Sequence, residues 1–474
     1  MKRFSFALVL MIFLSIYANA QTINDALRLS YPIKTFSARA LGLGNTYTAL
    51  SDDAAGVAFN PAGLGFIRKL EIAGSLKYDN FNNTATFFGN TTEYSNSSTD
   101  ISQLAFVFPF PTMRGSFVIG LSYNESNNFN GALNFNSFNN GDSSYIQHLN
   151  AIGSDVPFDL YLTDDNYYTK IKGKLNQSGT VLEDGNTRDF GLSAAVEVYK
   201  NLFVGGTLNI ISGKYKFNRD YYEDDTKGIY DNDTLAPGYA FSRDFRTLNL
   251  NSILDWEIAG YDFKLGLIYQ TKIARIGATI QFPKSLTVKE KYALTGKASF
   301  IGNQEYSLDP DKYSDNVEYD IITPFEFNLG ASVNFMGLIV TGEVGLVDYT
   351  QIEYDNPRGL TLNYVQGLNK QIKENFKAVV DLRAGMEYTI KDLDMRVRAG
   401  FFTQNSPYQN DPSEYNRTFI TGGFGFLIDQ VVAIDFTYAH GFWKTYGDNY
   451  GAGISRTFQD VTSSKLIASF NYRF

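Results

Sequence analysis

The chain has 474 residues, 44% of them hydrophobic, with 39 phenylalanines, 32 tyrosines and no cysteine, which is ample for a large folded body and excludes a disulfide framework. Lysine and arginine number 41 against 50 aspartates and glutamates, a net charge of -9, so there is no basic face for nucleic acid. The high aromatic content fits either an outer-membrane barrel, apolar on one side of each strand, or a secreted β protein.

Residues 1–20 open with Lys2 and Arg3, run apolar from Phe4 to Tyr17 and close with Ala18-Asn19-Ala20. This is the pattern of a cleaved export signal, which puts the mature start at Gln21. The run is too short for a membrane-spanning helix and no other stretch reaches about 18 apolar residues, which excludes a helical membrane protein. Gln21 and the absence of cysteine also exclude a lipid anchor at the cleavage site.

The stretch from Ala38 to Leu64 reads neither as strand nor as strand connector. Rich in alanine and glycine, it has the composition of a compact plug. Residues 21–68 are therefore assigned as an N-terminal hatch and 69–474 as a barrel wall. In the wall, Val317 to Phe335 alternates strictly: Val317, Tyr319, Ile321, Phe327, Leu329 and Val333 fall on one face, Glu318, Asp320, Glu326 and Asn328 on the other. That is the pattern of lipid on one side and a wet lumen on the other. A tilted spanning strand needs only about 9 to 11 residues, so this one extends beyond the membrane, with Pro324 on the lumen face marking a bulge or bend. Phe376 to Ile390 repeats the pattern, with Asp381, Arg383 and Glu387 on the wet side, and Leu466 to Phe474 is amphipathic up to a terminal phenylalanine. That ending resembles the signal that outer-membrane barrels present to their assembly machinery.

The pattern predicts an all-β fold, a fourteen-stranded antiparallel transmembrane barrel, the even number being the bacterial rule. Short turns fall near Pro111 to Arg114, Lys200, Thr271 to Ala274, Met336-Gly337, Lys391 to Leu393 and Asp429-Gln430. Long polar loops are expected at Phe81 to Asp100, Glu125 to Thr187, Phe217 to Asp255, Ser299 to Asn316, Asp355 to Asn375, Asn405 to Arg417 and Tyr446 to Ser464. Short turns inside and long loops outside make both barrel ends periplasmic, and the two longest loops carry some structure of their own. The setting is the outer membrane of a Gram-negative bacterium, among its lipid and lipopolysaccharide, with the chain a monomer.

Gly42-Leu43-Gly44 lacks the third glycine of a dinucleotide loop, since position 47 is tyrosine. Only His148 and His440 could serve as a catalytic base, and neither lies near a nucleophile elbow. No catalytic residue, metal or cofactor is assigned; the acidic run Asp231-Asn232-Asp233-Thr234 lacks the ligand spacing of a calcium loop. Lumen-facing Arg383, Arg396 and Arg398 are candidates to hold an anionic headgroup, because guanidinium forks match carboxylates. The competing reading is an ion-pair ladder with Glu387 and Asp381 that only fills the barrel.

Ala38-Arg39-Ala40-x-Gly42-x-Gly44, Ser51-Asp52-Asp53-Ala54 and Asn60-Pro61-Ala62-Gly63-Leu64 resemble the N-terminal hatch of the FadL family, which includes aromatic-hydrocarbon transporters. Arg275-Ile276-Gly277 leading to Phe282-Pro283, Thr323-Pro324 leading to Leu329-Gly330-Ala331, and Arg398-Ala399-Gly400-Phe401 extend the resemblance over the mature chain. It implies a barrel with an internal hatch that takes up long-chain fatty acids or similar hydrophobic small molecules passively. In that family ligand lands among the outer loops, moves to a lumen pocket and leaves beside a kinked third strand when the hatch shifts. Here the third strand is expected at Gly115 to Asn124, with Gly115 and Gly120 but no proline. The alternatives are a barrel of the same build that docks periplasmic or surface proteins, as in some gliding and secreting bacteria, and an outer-membrane lipid hydrolase.

Overall fold

The computed structural model describes residues 21–32, 35–231 and 243–474. The export signal expected at 1–20 and most of the acidic run 231–234 lie outside the described residues.

The wall is built from β1 (Glu71–Phe87), β2 (Asn90–Phe110), β3 (Phe117–Asn128), β4 (Gly131–Phe138), β5 (Asn176–Tyr199), β6 (Leu202–Asp224), β7 (Thr247–Gln270), β8 (Ala274–Gln281), β9 (Ser285–Phe300), β10 (Gln304–Ser307), β11 (Ser314–Ile322), β12 (Glu326–Phe335), β13 (Leu338–Asp348), β14 (Glu353–Arg358), β15 (Ala378–Ile390), β16 (Met395–Gln404), β17 (Arg417–Ile428), β18 (Val432–Asp448) and β19 (Arg456–Arg473). Several of these segments run in line: β3 and β4 along β5, β8 and β9 along β7, β12 and β11 along β8 and β9, β13 and β14 along β12 and β11. With β10 a short flap on β9, the wall is a closed antiparallel barrel of fourteen strands, sealed where Glu71 of β1 pairs with Arg473 of β19. Closure leaves no free edge, which is what a sheet in hydrocarbon requires.

The outer face carries an apolar belt: Leu265 and Leu267 on β7, Phe327 and Leu329 on β12, Val380, Leu382 and Met386 on β15 are all exposed. On β15 the even positions meet lipid and Asp381, Arg383 and Glu387 point inward, as the alternation predicts. All six predicted short turns join neighbouring strands at one end of the barrel.

The strand Val317 to Phe335 departs from the prediction. It breaks at Thr323-Pro324-Phe325, and the break shifts the pleat by one residue. Below it Glu326 and Asn328 face the lumen, but above it the inward positions are Val317, Tyr319 and Ile321. Phe282-Pro283-Lys284 does the same between β8 and β9, where inward Thr279 and Gln281 give way to Leu286 and Val288. Between β13 and β14 the short turn Tyr349–Gln351 replaces inward Thr341 and Glu343 with Ile352 and Tyr354. Proline cannot donate to a ladder, so two of the three breaks fall where the sequence already lacks a donor. Above the breaks the outward residues are charged: Lys289 and Lys291, Glu318 and Asp320, Glu353 and Asp355. The three breaks therefore mark the outer edge of the lipid belt, and the wall above them is polar outside and apolar inside.

Most of the expected loops are strand. β1 and β2 continue as a ladder to a turn at Phe88-Gly89, with Phe87 opposite Asn90, and β18 and β19 pair up to Asp448 and Arg456. Outside the membrane both faces of a ladder can be polar, so the period-2 signal vanishes while the pairing persists. The segment expected as the longest loop holds β4, the start of β5 and two helices, α3 (Tyr145–Ala151) and α4 (Val156–Asp159). Another folds as the helix α5 (Leu362–Asn375), started by Thr361, whose hydroxyl accepts from the Tyr364 amide.

A docked hatch beneath an aromatic cavity

Inside the barrel lie α1 (Ile23–Ser30), α2 (Ala38–Gly42) and the single turns Ala54–Val57 and Pro61–Phe66. Each turn starts on a side-chain cap. Asp53 accepts from the Ala55 amide at 3.0 Å and Asn60 from the Ala62 amide at 3.1 Å, with Pro61 at the first helical position, where no donor is needed.

The glycines of the hatch are small because the wall, or the hatch folded on itself, touches them. A Cβ on Gly44, which sits at φ +63°, would lie 2.6 Å from the Ala384 carbonyl; one on Gly42 would meet Thr437, and one on Gly63 the Ser51 carbonyl at 2.1 Å. The wall answers with its own glycines. A Cβ on Gly266 would stand 1.9 Å from Asn60 Oδ1, and one on Gly205 2.5 Å from the Ala62 nitrogen. Asn60 Nδ2 donates to the carbonyls of Thr48 at 2.7 Å and Leu267 at 3.2 Å, tying one hatch turn to another and to β7.

Charge supplies the second set of ties. Arg39 donates to Glu387 of β15 at 3.0 Å and to Asp52 at 2.6 Å. Asp52 also takes Arg275 of β8 at 2.8 Å, and Asp53 takes the Tyr47 hydroxyl. Burial opposes the charge on Asp52, but Arg39 and Arg275 overcome it and hold the carboxyl well below the usual carboxylate range. Arg398 joins the same network, 2.6 Å from both Glu387 and Asp435, while Arg383 pairs with Glu343 and Asn328 Oδ1. Arg396 is half-buried near the short-turn end of β16. None of these three arginines lines the open cavity above. Arg383 and Arg398 are thus both paired with carboxylates of the wall.

That cavity, about 740 Å³, runs from Gly447 and Asp448 at the outer end of β18 down to Thr35 and Asn45 of the hatch. Its aromatic lining includes Phe81, Phe129, Tyr408 and Trp443, with Phe402 and Phe419 stacked at 4.5 Å. Arg417 lies 4.6 Å over the Tyr31 ring and 4.9 Å over Trp443. The cations at this site are Arg28, Arg417, Lys444 and Lys465. Sequence reasoning did not single them out: Arg28 stands in the segment read as hatch, Arg417 closes a segment read as loop, Lys444 stands on a strand whose faces were not assigned, and Lys465 was placed only on the polar face of the last strand.

The third barrel strand extends past its predicted end. The ladder between β2 and β3 runs from Phe110↔Phe117 to Gln103↔Asn124 and goes no further, and β3 is broken from β4 at Phe129-Asn130. Above this point side chains bridge the seam: Asn128 to Ser98 at 3.1 Å, and Asn96 to the Glu183 carbonyl at 3.0 Å. Gly115 lies in the turn before β3 at φ +71°. Gly120 faces the hatch, where a Cβ would come 2.7 Å from Val57.

His148 stands in α3, its ring stacked on Tyr145. His440 lies between Tyr438 and Phe442 on β18, with Nδ1 3.4 Å from Ser464 Oγ. No carboxylate is bonded to either histidine among the described residues. Asp231 is paired with Arg246 at 2.5 Å.

A closed fourteen-strand barrel with an apolar belt, short turns at one end and a folded superstructure at the other is an integral outer-membrane protein of a Gram-negative bacterium. Its fold is the FadL type. It is similar to the crystal structure of a Pseudomonas aeruginosa FadL homologue (TM-score 0.56, 13% identity, 94% of this chain and 99% of that one). It is similar also to the P. putida toluene transporter TodX (TM-score 0.55, 12% identity, 93% and 98%) and to the monoaromatic hydrocarbon channel CymD (TM-score 0.52, 16% identity, 93% and 97%). No protein-family model matches the chain and no curated protein matches it.

Proposed function

We propose that this barrel is a passive channel through which hydrophobic small molecules, long-chain fatty acids among them, enter across the outer membrane, with residues 21–68 as its gate. The observation that carries this reading is the cavity of mixed aromatic and polar lining, open at the outer end and floored by a hatch that wall glycines and buried ion pairs hold in place. Proteins named for toluene and hydrocarbon transport share the fold. An apolar molecule that enters such a cavity gains roughly 25 cal/mol for each Å² it removes from water, a gain that an open wet pore does not offer. The unzipped seam above Asn124 is the exit route this reading favours. The channel acts as a monomer, surrounded by lipid and lipopolysaccharide, after insertion by the barrel assembly machinery. It carries out no chemistry on its cargo.

Uptake of radiolabelled toluene and oleate by a bacterium lacking its own transporter tests the reading. Expression of this chain raises the uptake of at least one of them if the reading holds. Unchanged uptake of both, with folded barrel present in the membrane, overturns it.

A further inference from the structure

The mature start expected at Gln21 falls on a tightly bound end of the hatch. Gln21 is buried. Its side-chain Nε2 donates to the Glu290 carboxylate of β9 at 2.6 Å, and its carbonyl accepts from the Tyr364 hydroxyl of α5 at 2.5 Å. The Thr22 carbonyl accepts from the Tyr354 hydroxyl at 2.7 Å, and the Thr22 amide donates to Asp25 at 2.8 Å, which closes the first turn of α1. Ala26 and Leu29 of that helix share one packed core with Trp256, Leu286, Tyr319 and Tyr354.

Glu290 has no cation in this core. Besides Gln21 its carboxylate accepts from Trp256 Nε1 at 3.0 Å and the Tyr319 hydroxyl at 2.8 Å, and all three donors are neutral. Burial pushes its pKa up to about 7, against the pull of those hydrogen bonds. The guanidinium of Arg28 is shared between Asp25 at 2.6 Å and Glu183 at 2.8 Å. A buried carboxylate without a counter-ion is costly. Beside it Gln21 Oε1 is a buried acceptor without a donor.

Cleavage of the export signal supplies a cation at this place. In the uncut chain the Gln21 nitrogen is a neutral peptide amide with one hydrogen. After cleavage it is an ammonium, with a full positive charge and three donors. That nitrogen is five bonds from Nε2 and so within roughly 6 Å of it, and Nε2 is bonded to Glu290. The macrodipole opposes a cation at the head of a helix, so an ammonium in front of α1 needs carboxylates around it, and Asp25 and Glu290 provide them.

We propose that the α-ammonium freed in front of Gln21 is the structural counter-ion of Glu290, so that removal of the export signal, rather than synthesis of the chain, is what locks α1 into the upper lumen. The inference rests on the cleavage point and is independent of what the barrel carries. The same contact protects the terminus. A free N-terminal glutamine closes into a lactam when its uncharged α-amine attacks Cδ. The N–Cδ bond forms, the Cδ–Nε2 bond breaks, and Nε2 leaves as ammonia with a proton from the amine. Held as an ammonium, with Nε2 bound to Glu290, the residue stays open.

The intact mass of the barrel extracted from outer membranes tests the first step: the chain begins at Gln21 and is not lighter by one ammonia. A different start, or the lactam, overturns the proposal. A serine inserted between Ala20 and Gln21 then moves the ammonium one residue away and changes no side chain of the site. Amide exchange of α1 becomes about tenfold faster than in the wild type, both proteins being heat-modifiable barrels. In Glu290→Gln, where no carboxylate awaits the ammonium, the same insertion changes exchange by less than about twofold. Equal exchange with and without the serine overturns the proposal. An acceleration of the same size in the Glu290→Gln background overturns it too, since crowding by the added residue then accounts for the effect. If Glu290→Gln yields no heat-modifiable form, Glu290→Asp takes its place: it keeps the charge and retains the sensitivity to the insertion, and loss of that sensitivity overturns the proposal.

Discussion

Arg39 of the hatch and Glu387 of β15 form a two-point contact, Nε to Oε2 at 3.0 Å and Nη2 to Oε1 at 3.2 Å, with Arg398 Nε on the same Oε2 at 2.6 Å. One buried carboxylate therefore holds a plug cation and a wall cation together. Glu387→Gln removes the charge that both guanidiniums share, while Arg39 keeps Asp52 and Arg398 keeps Asp435, at a cost of about 1–3 kcal/mol. In the folded barrel, trypsin should then cleave after Arg39, which the wild type protects. Equal protection in both proteins shows that the pair does not hold the hatch.

Gly266 makes the same argument without charge. A methyl group there would lie 1.9 Å from Asn60 Oδ1, whereas one on Gly422 meets nothing within 4 Å. Gly266→Ala should expose the hatch to protease with the barrel still heat-modifiable, and Gly422→Ala should not. If the two variants digest alike, the glycine socket is not what seats the hatch.

Asn60→Ala removes the cap on Ala62 and leaves the Thr48 carbonyl without its 2.7 Å partner. Such losses cost about 1–3 kcal/mol, too little to unfold a closed barrel. The expected result is a folded protein with an altered rate of hydrophobic-compound uptake. Disappearance of the heat-modifiable form instead would place the motif in the folding of the barrel rather than in its gate.

Asp52 sets the acid limit of docking. Burial raises its pKa, but Arg39 and Arg275 lower it further, so the folded value lies below the unfolded one. Its contribution is complete above the ordinary aspartate range, near pH 4, and is lost only as pH falls through the depressed folded value. Hydrogen exchange of residues 38–64 should stay slow at pH 4 in the wild type and be faster throughout in Asp52→Asn. A wild-type hatch that exchanges freely at pH 4 contradicts the assignment.

Much of this was legible in the chain. Alternation from Ala378 to Tyr388 located lipid and lumen correctly because both faces of that strand lie within the membrane, whereas Phe376, placed on the same face, is buried against Tyr408. The six turns were legible because a tight reversal between apolar strands has a strong composition signal. The outer ladders were read as loops because, once water meets both faces, pairing leaves no period in the sequence. The arginines were ambiguous for a related reason. A lumen cation looks the same whether its partner is a ligand or a neighbouring carboxylate, and only the register that brings Glu387 opposite Arg398 decides between them.

The sequence by itself determined a barrel with a small-residue segment meant to lie inside it, since an alternating wall and an Ala/Gly-rich stretch are local properties of composition and spacing. Only the tertiary structure decided which way the upper wall faces. A break at Pro283 or Pro324 moves the pleat by one residue, and a shift of one reverses every side chain beyond it. Tyr319 and Ile321 thus turn from lipid to lumen and meet Leu286, Tyr354 and α1 there, partners far away in the chain that no local period could reveal.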